Sequence, residues 1–136
     1  MTEPFPITIY HNPDCGTSRN ALAMIVAAGY HPRVIDYRAA GWTRPLLEAL
    51  LNALHATPRD LLREKGTPAA ELGLLDPATP DEAILTAMIA HPILVNRPIV
   101  VTPKGTKLCR PSEAVLDLLD RQPHSFTKED GEVVRL

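Results

Sequence analysis

Cys15 is the strongest nucleophile candidate in the chain, and its neighbours limit what it could do. It sits in His11-Asn12-Pro13-Asp14-Cys15-Gly16-Thr17-Ser18-Arg19-Asn20, after a β-branched run and just before a helical pattern that begins at about Ser18. A thiol at a helix N-terminus meets unsatisfied N–H donors and the positive end of the dipole. Both favour a thiolate, and both favour a bound oxyanion. Gly16 lets a ligand approach the backbone closely, while Thr17 and Ser18 can cap the helix or donate to that ligand. The competing reading of Cys15 is a free cysteine packed as a small buried hydrophobe. His11 also has two readings. Protonated and nearby, it would lower the thiol pKa; otherwise it is a histidine hydrogen-bonded at a strand end.

The spacing after Cys15 excludes two thiol chemistries. A dithiol redox motif needs a second cysteine at the position held by Ser18. A cysteine phosphatase loop needs arginine where this chain has Ala21. Cys109, the other cysteine, ends an expected strand beside Leu108 and reads as a packed core thiol. His31, His55, His91 and His124 show no metal-ligand spacing. Arg63, Arg97 and Arg110 stand out by position, and arginine's planar fork suits tetrahedral oxyanions. Taken singly, each also fits a solvated or structural ion pair, and spacing alone does not group them. Arg19 reads as pointing outward from the first helix.

The elements that must position these groups follow from periodicity. A first strand over Ile7–Tyr10 leads through Asn12-Pro13-Asp14 into a helix with Leu22, Ile25 and Val26 along one face. Arg33–Tyr37 reads as a second strand, parallel to the first. Thr43 caps a helix bearing Leu47, Leu50, Leu51 and Leu54. Thr57-Pro58-Arg59-Asp60 opens a short helix that holds Leu61, Leu62 and Arg63. Pro68–Leu72 reads as one turn ended by Gly73, and Thr79-Pro80-Asp81-Glu82 repeats the capping pattern for a helix that stops at His91-Pro92. Ile99–Thr102 is the clearest buried strand. Pro103-Lys104-Gly105 turns it into Thr106–Cys109, and a last helix follows through Val115, Leu116, Leu118 and Leu119. The order is β-α-β, a helical insert over about 43–91, then β-β-α. That is a thioredoxin-like α/β arrangement with a mixed four-stranded sheet, a single domain over 1–136.

The bulk composition narrows the partners. The chain has 136 residues, 45% hydrophobic, which suits one core. A net charge of −2 without a dense basic run argues against nucleic acid or an acidic membrane. No apolar stretch is long enough to span a bilayer, and Met1–Pro6 lacks the regions of a signal peptide, so the expected location is cytoplasmic. Two distant cysteines fit that reducing compartment.

The blocks then carry a family pattern. His11–Asn20 closely resembles the active-site loop of the glutaredoxin-coupled arsenate reductases. Asn96–Pro103 and Leu108–Glu113 resemble two further blocks of that family, and Leu61–Arg63, His91–Leu94 and Phe126–Glu132 fit it too. The resemblance implies a thioredoxin-like fold and the reduction of arsenate to arsenite through a thiol–arsenate adduct on Cys15. Arg63, Arg97 and Arg110 would bind the oxyanion, with His11, Gly16, Thr17, Ser18 and Pro98 in support and Arg97-Pro98 as a cis-proline site. It implies no tightly bound cofactor and no metal, with glutathione as co-substrate and glutaredoxin as partner. Asp14 departs from the family's usual neutral residue and would oppose the thiolate. Two rivals share the fold: a thiol reductase for another substrate, and a polymerase-binding regulator that senses oxidation through a cysteine pair. Three arginines count against the first, and Ser18 counts against the second.

Overall fold

The computed structural model describes residues 5–122 and the backbone of 125–127 and 133–135. Most of the Phe126–Glu132 block and Met1–Pro4 therefore lie outside the described residues. The chain forms two compact units: Met1–Asp36 with Arg97–Leu136, and Tyr37–Asn96.

In the first unit, β1 (Thr8–His11), α1 (Gly16–Ala27) and β2 (Arg33–Asp36) form a β-α-β unit with β1 and β2 parallel. β3 (Ile99–Thr102) runs antiparallel to β1 and pairs with β4 (Gly105–Leu108), giving the order β2-β1-β3-β4. A 3-10 helix, Ser112–Leu118, completes this thioredoxin-like arrangement. β5 (Ser125–Thr127) and β6 (Val133–Arg135) pair separately as an antiparallel ribbon.

Alternation in β1 explains the core. Ile7, Ile9 and His11 share one face of the strand. Ile7 and Ile9 pack with Met24 and Ile25 of α1 and with Val115 and Leu118. The buried stripe of α1 is Ser18, Ala21, Met24 and Ile25, rather than the expected Leu22, Ile25 and Val26. Ser18, Ala21 and Ile25 keep i, i+3, i+7 spacing. Val26 lies a further 100° around the helix and is 55% exposed, while Leu22 only borders the core.

Three boundaries in this unit differ from the sequence reading. Tyr37 leaves the second strand and opens the next helix. The hairpin turn holds two residues, Pro103-Lys104, because Thr102 pairs with Gly105; β4 thus starts one residue early and ends before Cys109. Gly105 takes φ +143°, which a side chain would resist. Thr102 fixes the corner, accepting the Lys104 N–H and donating to the Leu118 carbonyl. The expected last helix is 3-10, not α. Ser112, Val115 and Leu118 are all buried at three-residue spacing, the period of that helix.

The second unit holds α2 (Tyr37–Ala40), α3 (Arg44–Leu54), α4 (Pro58–Leu61), α5 (Asp81–Ala90) and a 3-10 turn at Pro92–Leu94. Thr43 caps α3 by accepting the Leu46 N–H, and Leu47, Leu50 and Leu51 are buried. Thr57 and Asp60 exchange side chain-to-backbone bonds at 3.2 and 2.9 Å, a reciprocal box at the start of α4. α4 ends at Leu61, so Arg63 lies beyond it rather than within it; Leu62 turns extended and bridges antiparallel to Val95. Pro68–Leu72 forms a single turn, with Gly73 at φ +74°. Thr79 does not cap α5. Its hydroxyl donates to the Gly73 carbonyl at 2.7 Å, which leaves Pro80 at the cap position without a side-chain acceptor. Asp81 and Glu82 in the first turn still complement the helix dipole. Among the described residues no helix is long and apolar enough to cross a membrane.

Candidate active site

The site in the first unit grows from the end of β1. Asn12 Oδ1 accepts the Asp14 N–H at 2.9 Å, and the Asn12 carbonyl accepts the Cys15 N–H at 3.0 Å. These two bonds fold the loop into a tight turn that delivers Cys15 to the N-cap of α1 in extended backbone, φ −103° and ψ 119°. Gly16 and Thr17 form the start of the first turn, and Ser18 is the third helical residue. As a neutral thiol Cys15 makes no capping hydrogen bond, but the Ser18 N–H stands where it stabilises a thiolate.

Ser18 ties this turn to β1. Its hydroxyl lies 2.6 Å from His11 Nδ1 and accepts the Asn12 N–H at 3.1 Å. His11 is thus a hydrogen-bonded histidine at the strand end, held against Ser18. Asn12, Ser18 and His11 are all buried. Sequence alone assigns Asn12 only turn chemistry. The signal for more was an Asx residue two positions before Asp14, the spacing at which such a side chain bonds the backbone.

The hairpin supplies the arginines. Ile99 pairs with Leu108, and two residues outward on each strand stand Arg97 and Arg110. The Cys109 N–H donates to the Pro98 carbonyl at 2.9 Å and carries the pairing past the strand ends. Arg97-Pro98 is cis, as the resemblance implied, and so is Arg110-Pro111. Arg110 Nη1 donates to the Arg97 carbonyl at 3.1 Å and lies 3.7 Å from Cys15 Sγ. Arg19 is directed elsewhere: its Nη1 donates to the Pro13 carbonyl at 2.7 Å.

The electrostatics separate the two cysteines. Burial pushes the Cys15 thiol up. That effect is outweighed by the Ser18 N–H, the Arg97 charge, and hydrogen bonds from Arg110 and Arg97, so the thiol lies below its ordinary value. Cys109 is fully buried in the core beside Val115 and Leu118, and its thiol is pushed up to about 12, chiefly by burial.

The first unit therefore gathers Cys15, Gly16, Thr17, Ser18, His11, Arg97, Pro98 and Arg110. Arg63 belongs to the second unit. There its N–H donates to the Leu94 carbonyl at 2.7 Å and its Nε to the Lys65 carbonyl at 3.0 Å. Among the described residues no group of His, Cys, Asp or Glu could hold a metal ion. An activated thiol beside two guanidiniums is equipped for nucleophilic attack on a tetrahedral oxyanion.

Comparison with known proteins agrees with this chemistry. The ArsC family matches residues 10–118. The chain belongs to the ArsC family. It is 61% identical over 135 residues to arsenate reductase ArsI1 of Synechocystis sp., covering 98% of this chain and 93% of that one. Against an arsenate reductase of Escherichia coli strain K12 the identity is 52% over 129 residues, 94% of this chain and 92% of the other. Among solved ArsC-type structures, an arsenate reductase from Vibrio cholerae gives a TM-score of 0.80 at 36% identity, covering 86% of this chain and all of that one.

Proposed function

We propose that the chain is an arsenate reductase with Cys15 as nucleophile. The observation that carries this reading is the placement of Cys15 at the N-cap of α1 with Arg110 Nη1 3.7 Å from its sulfur, a setting that favours the thiolate. Arsenate is a tetrahedral oxyanion, which guanidinium forks and a helix N-terminus both stabilise. Arg63 is assigned to the same anion on the family resemblance.

The Cys15 thiolate attacks arsenic and an oxygen leaves as water once protonated, giving a sulfur–arsenic(V) adduct. In the full reaction, arsenate and two thiols become arsenite, a disulfide and water. Arsenic gains two electrons and each sulfur loses one. Cys109 is buried with its thiol pushed up to about 12, which supports a second thiol from outside the chain. That role is assigned to glutathione, with glutaredoxin returning Cys15 to the thiol. The reducing cytoplasm is the compartment that supplies both. The chain is read as one thioredoxin-like reductase domain over 1–136, with a helical insert of about 43–91.

Arsenite release tests the reading under three conditions: protein alone, protein with thioredoxin and its reductase, and protein with glutathione and glutaredoxin. Turnover is expected only in the third. Equal turnover with thioredoxin would require an internal Cys15–Cys109 disulfide and would remove the external thiol. Absence of arsenite in all three, with Cys15 still reactive, would remove the arsenate reading.

A further inference from the structure

Arg63 follows a short helix, in a connection of the kind that ordinarily leaves a long side chain free to sample rotamers. Here its surroundings fix it from three directions. The Arg63 N–H donates to the Leu94 carbonyl at 2.7 Å, which anchors the residue where Leu62 bridges to Val95. The Arg63 carbonyl accepts the Thr67 hydroxyl at 2.8 Å; the same hydroxyl reaches the Glu64 carbonyl at 2.9 Å. The side chain turns back over the loop it begins, and Nε donates to the Lys65 carbonyl at 3.0 Å. Gly66 makes that return possible. Its φ is +75°, and a Cβ built on it would stand 3.3 Å from Arg63 Nη2, tighter than most real contacts.

We propose that Lys65, Gly66 and Thr67 are positioning residues: they form a backbone cradle that presets the Arg63 guanidinium for its oxyanion. This rests on the reading of Arg63 as an oxyanion ligand. The physical reason is preorganisation. A guanidinium already aimed by its Nε bond loses less freedom on binding than one drawn from solvent. Lys65 acts through its carbonyl, so its charge is not required. Gly66 acts by having no side chain, and Thr67 by one hydroxyl that closes the loop behind Arg63.

A matched glycine makes the proposal testable. Gly73 has φ +74°, and a Cβ there meets nothing within 4 Å. Gly66→Ala and Gly73→Ala thus carry the same left-handed backbone cost, and only the first presses on Arg63. Gly66→Ala should raise KM for arsenate roughly tenfold with little change in kcat, the scale of one charge-assisted contact weakened in the bound state. Gly73→Ala should leave KM alone. In an Arg63→Ala background, Gly66→Ala should add nothing further. Thr67→Val should raise KM in the same way, and Thr67→Ser should restore it.

Hydrogen exchange at the Arg63 Nε–H, read by nitrogen-15 NMR, tests the cradle without turnover. It should be slow in the parent and in Gly73→Ala, and fast in Gly66→Ala. Equal KM changes for the two glycine variants, persistence of the Gly66→Ala effect without Arg63, or fast exchange in the parent would each overturn the cradle. Slow exchange with no KM change in Arg63→Ala would instead sink the oxyanion role of Arg63 and leave the cradle without a substrate to serve.

Discussion

The two cysteines should behave as different functional groups, and the difference can be worked out. An ordinary thiol, at ~8.5, is half ionised at pH 8.5. Cys109, pushed up to about 12, would then be ionised to roughly one part in three thousand. It is also fully buried, so reagent cannot reach it without opening the core. Cys15 lies below the ordinary value and faces Arg110. Folded protein treated with iodoacetamide at pH 7–8.5 should therefore gain one label, on Cys15, with the second appearing only after denaturation. Intact-mass and peptide mapping would follow both sites.

The same contrast has a stability signature. The folded pKa of Cys109 is raised, so between ~8.5 and about 12 the folded chain holds a proton that the unfolded chain has lost. Stability is complete below ~8.5 and falls as pH rises through that window. At about 1.4 kcal/mol per pH unit, the loss between pH 8.5 and 11 is about 3 kcal/mol. Cys109→Ala lacks this loss, so the stability difference between parent and variant should drift by that amount in urea melts across the window. Cys15 has the opposite sign: its folded pKa is lowered, so its contribution is present above the unfolded pKa and fades as pH falls through the folded one. Labelling of Cys109 at the pace of Cys15 in folded protein, or a parent–variant difference flat from pH 8.5 to 11, would refute the reasoning.

Other outcomes follow from the same geometry. Arg97→Lys and Arg110→Lys should each lower kcat/KM for arsenate roughly ten- to hundredfold, the value of one or more charge-assisted bonds, while Arg19→Lys should change it little because that side chain serves the Pro13 carbonyl. Steady-state kinetics on the four proteins would check this, and Arg19 as the most sensitive position would contradict it. Ser18→Ala removes the hydroxyl that binds both the Asn12 N–H and His11 Nδ1 in a buried site; about 1–3 kcal/mol of stability should be lost in denaturant melts, and a neutral result would mean the loop is held otherwise. Thr57→Ala removes half of a reciprocal capping box at α4 and should cost ~1 kcal/mol by the same measurement.

Local chemistry explains what the sequence could reveal. Cys15 before a helix, the Thr43 and Thr57 caps, and the parallel β1–β2 pair each depend on neighbours a few residues apart or on a short crossover. The faces and registers were harder. Val26 has helical spacing with Leu22, yet Ser18 and Ala21 are small enough to bring α1 close to β1, and that stripe is the one buried. Thr79 matches the capping pattern but has a nearer acceptor across the loop at Gly73, which periodicity cannot see. The arginine pair was hidden by one residue. A three-residue turn would place Arg97 opposite Pro111; the actual two-residue turn places it opposite Arg110. Equal distance from Pro103-Lys104 was the available signal. Arg63 had none of this kind, because its setting depends on the bridge between Leu62 and Val95.

That turn also sets a rule of parity for the hairpin. Side chains alternate along a strand, so adding one residue beside Lys104 while the turn still closes on two residues would slide β4 by one step and send Arg110 to the opposite side of the sheet. Adding one residue to each strand at the turn end would lengthen the hairpin and leave both arginines on the same rung. Substitutions on the outer hairpin can therefore drift while the pairing of Thr102 with Gly105 cannot. An engineered loop at this corner would have to close on that pair before any concern for its composition.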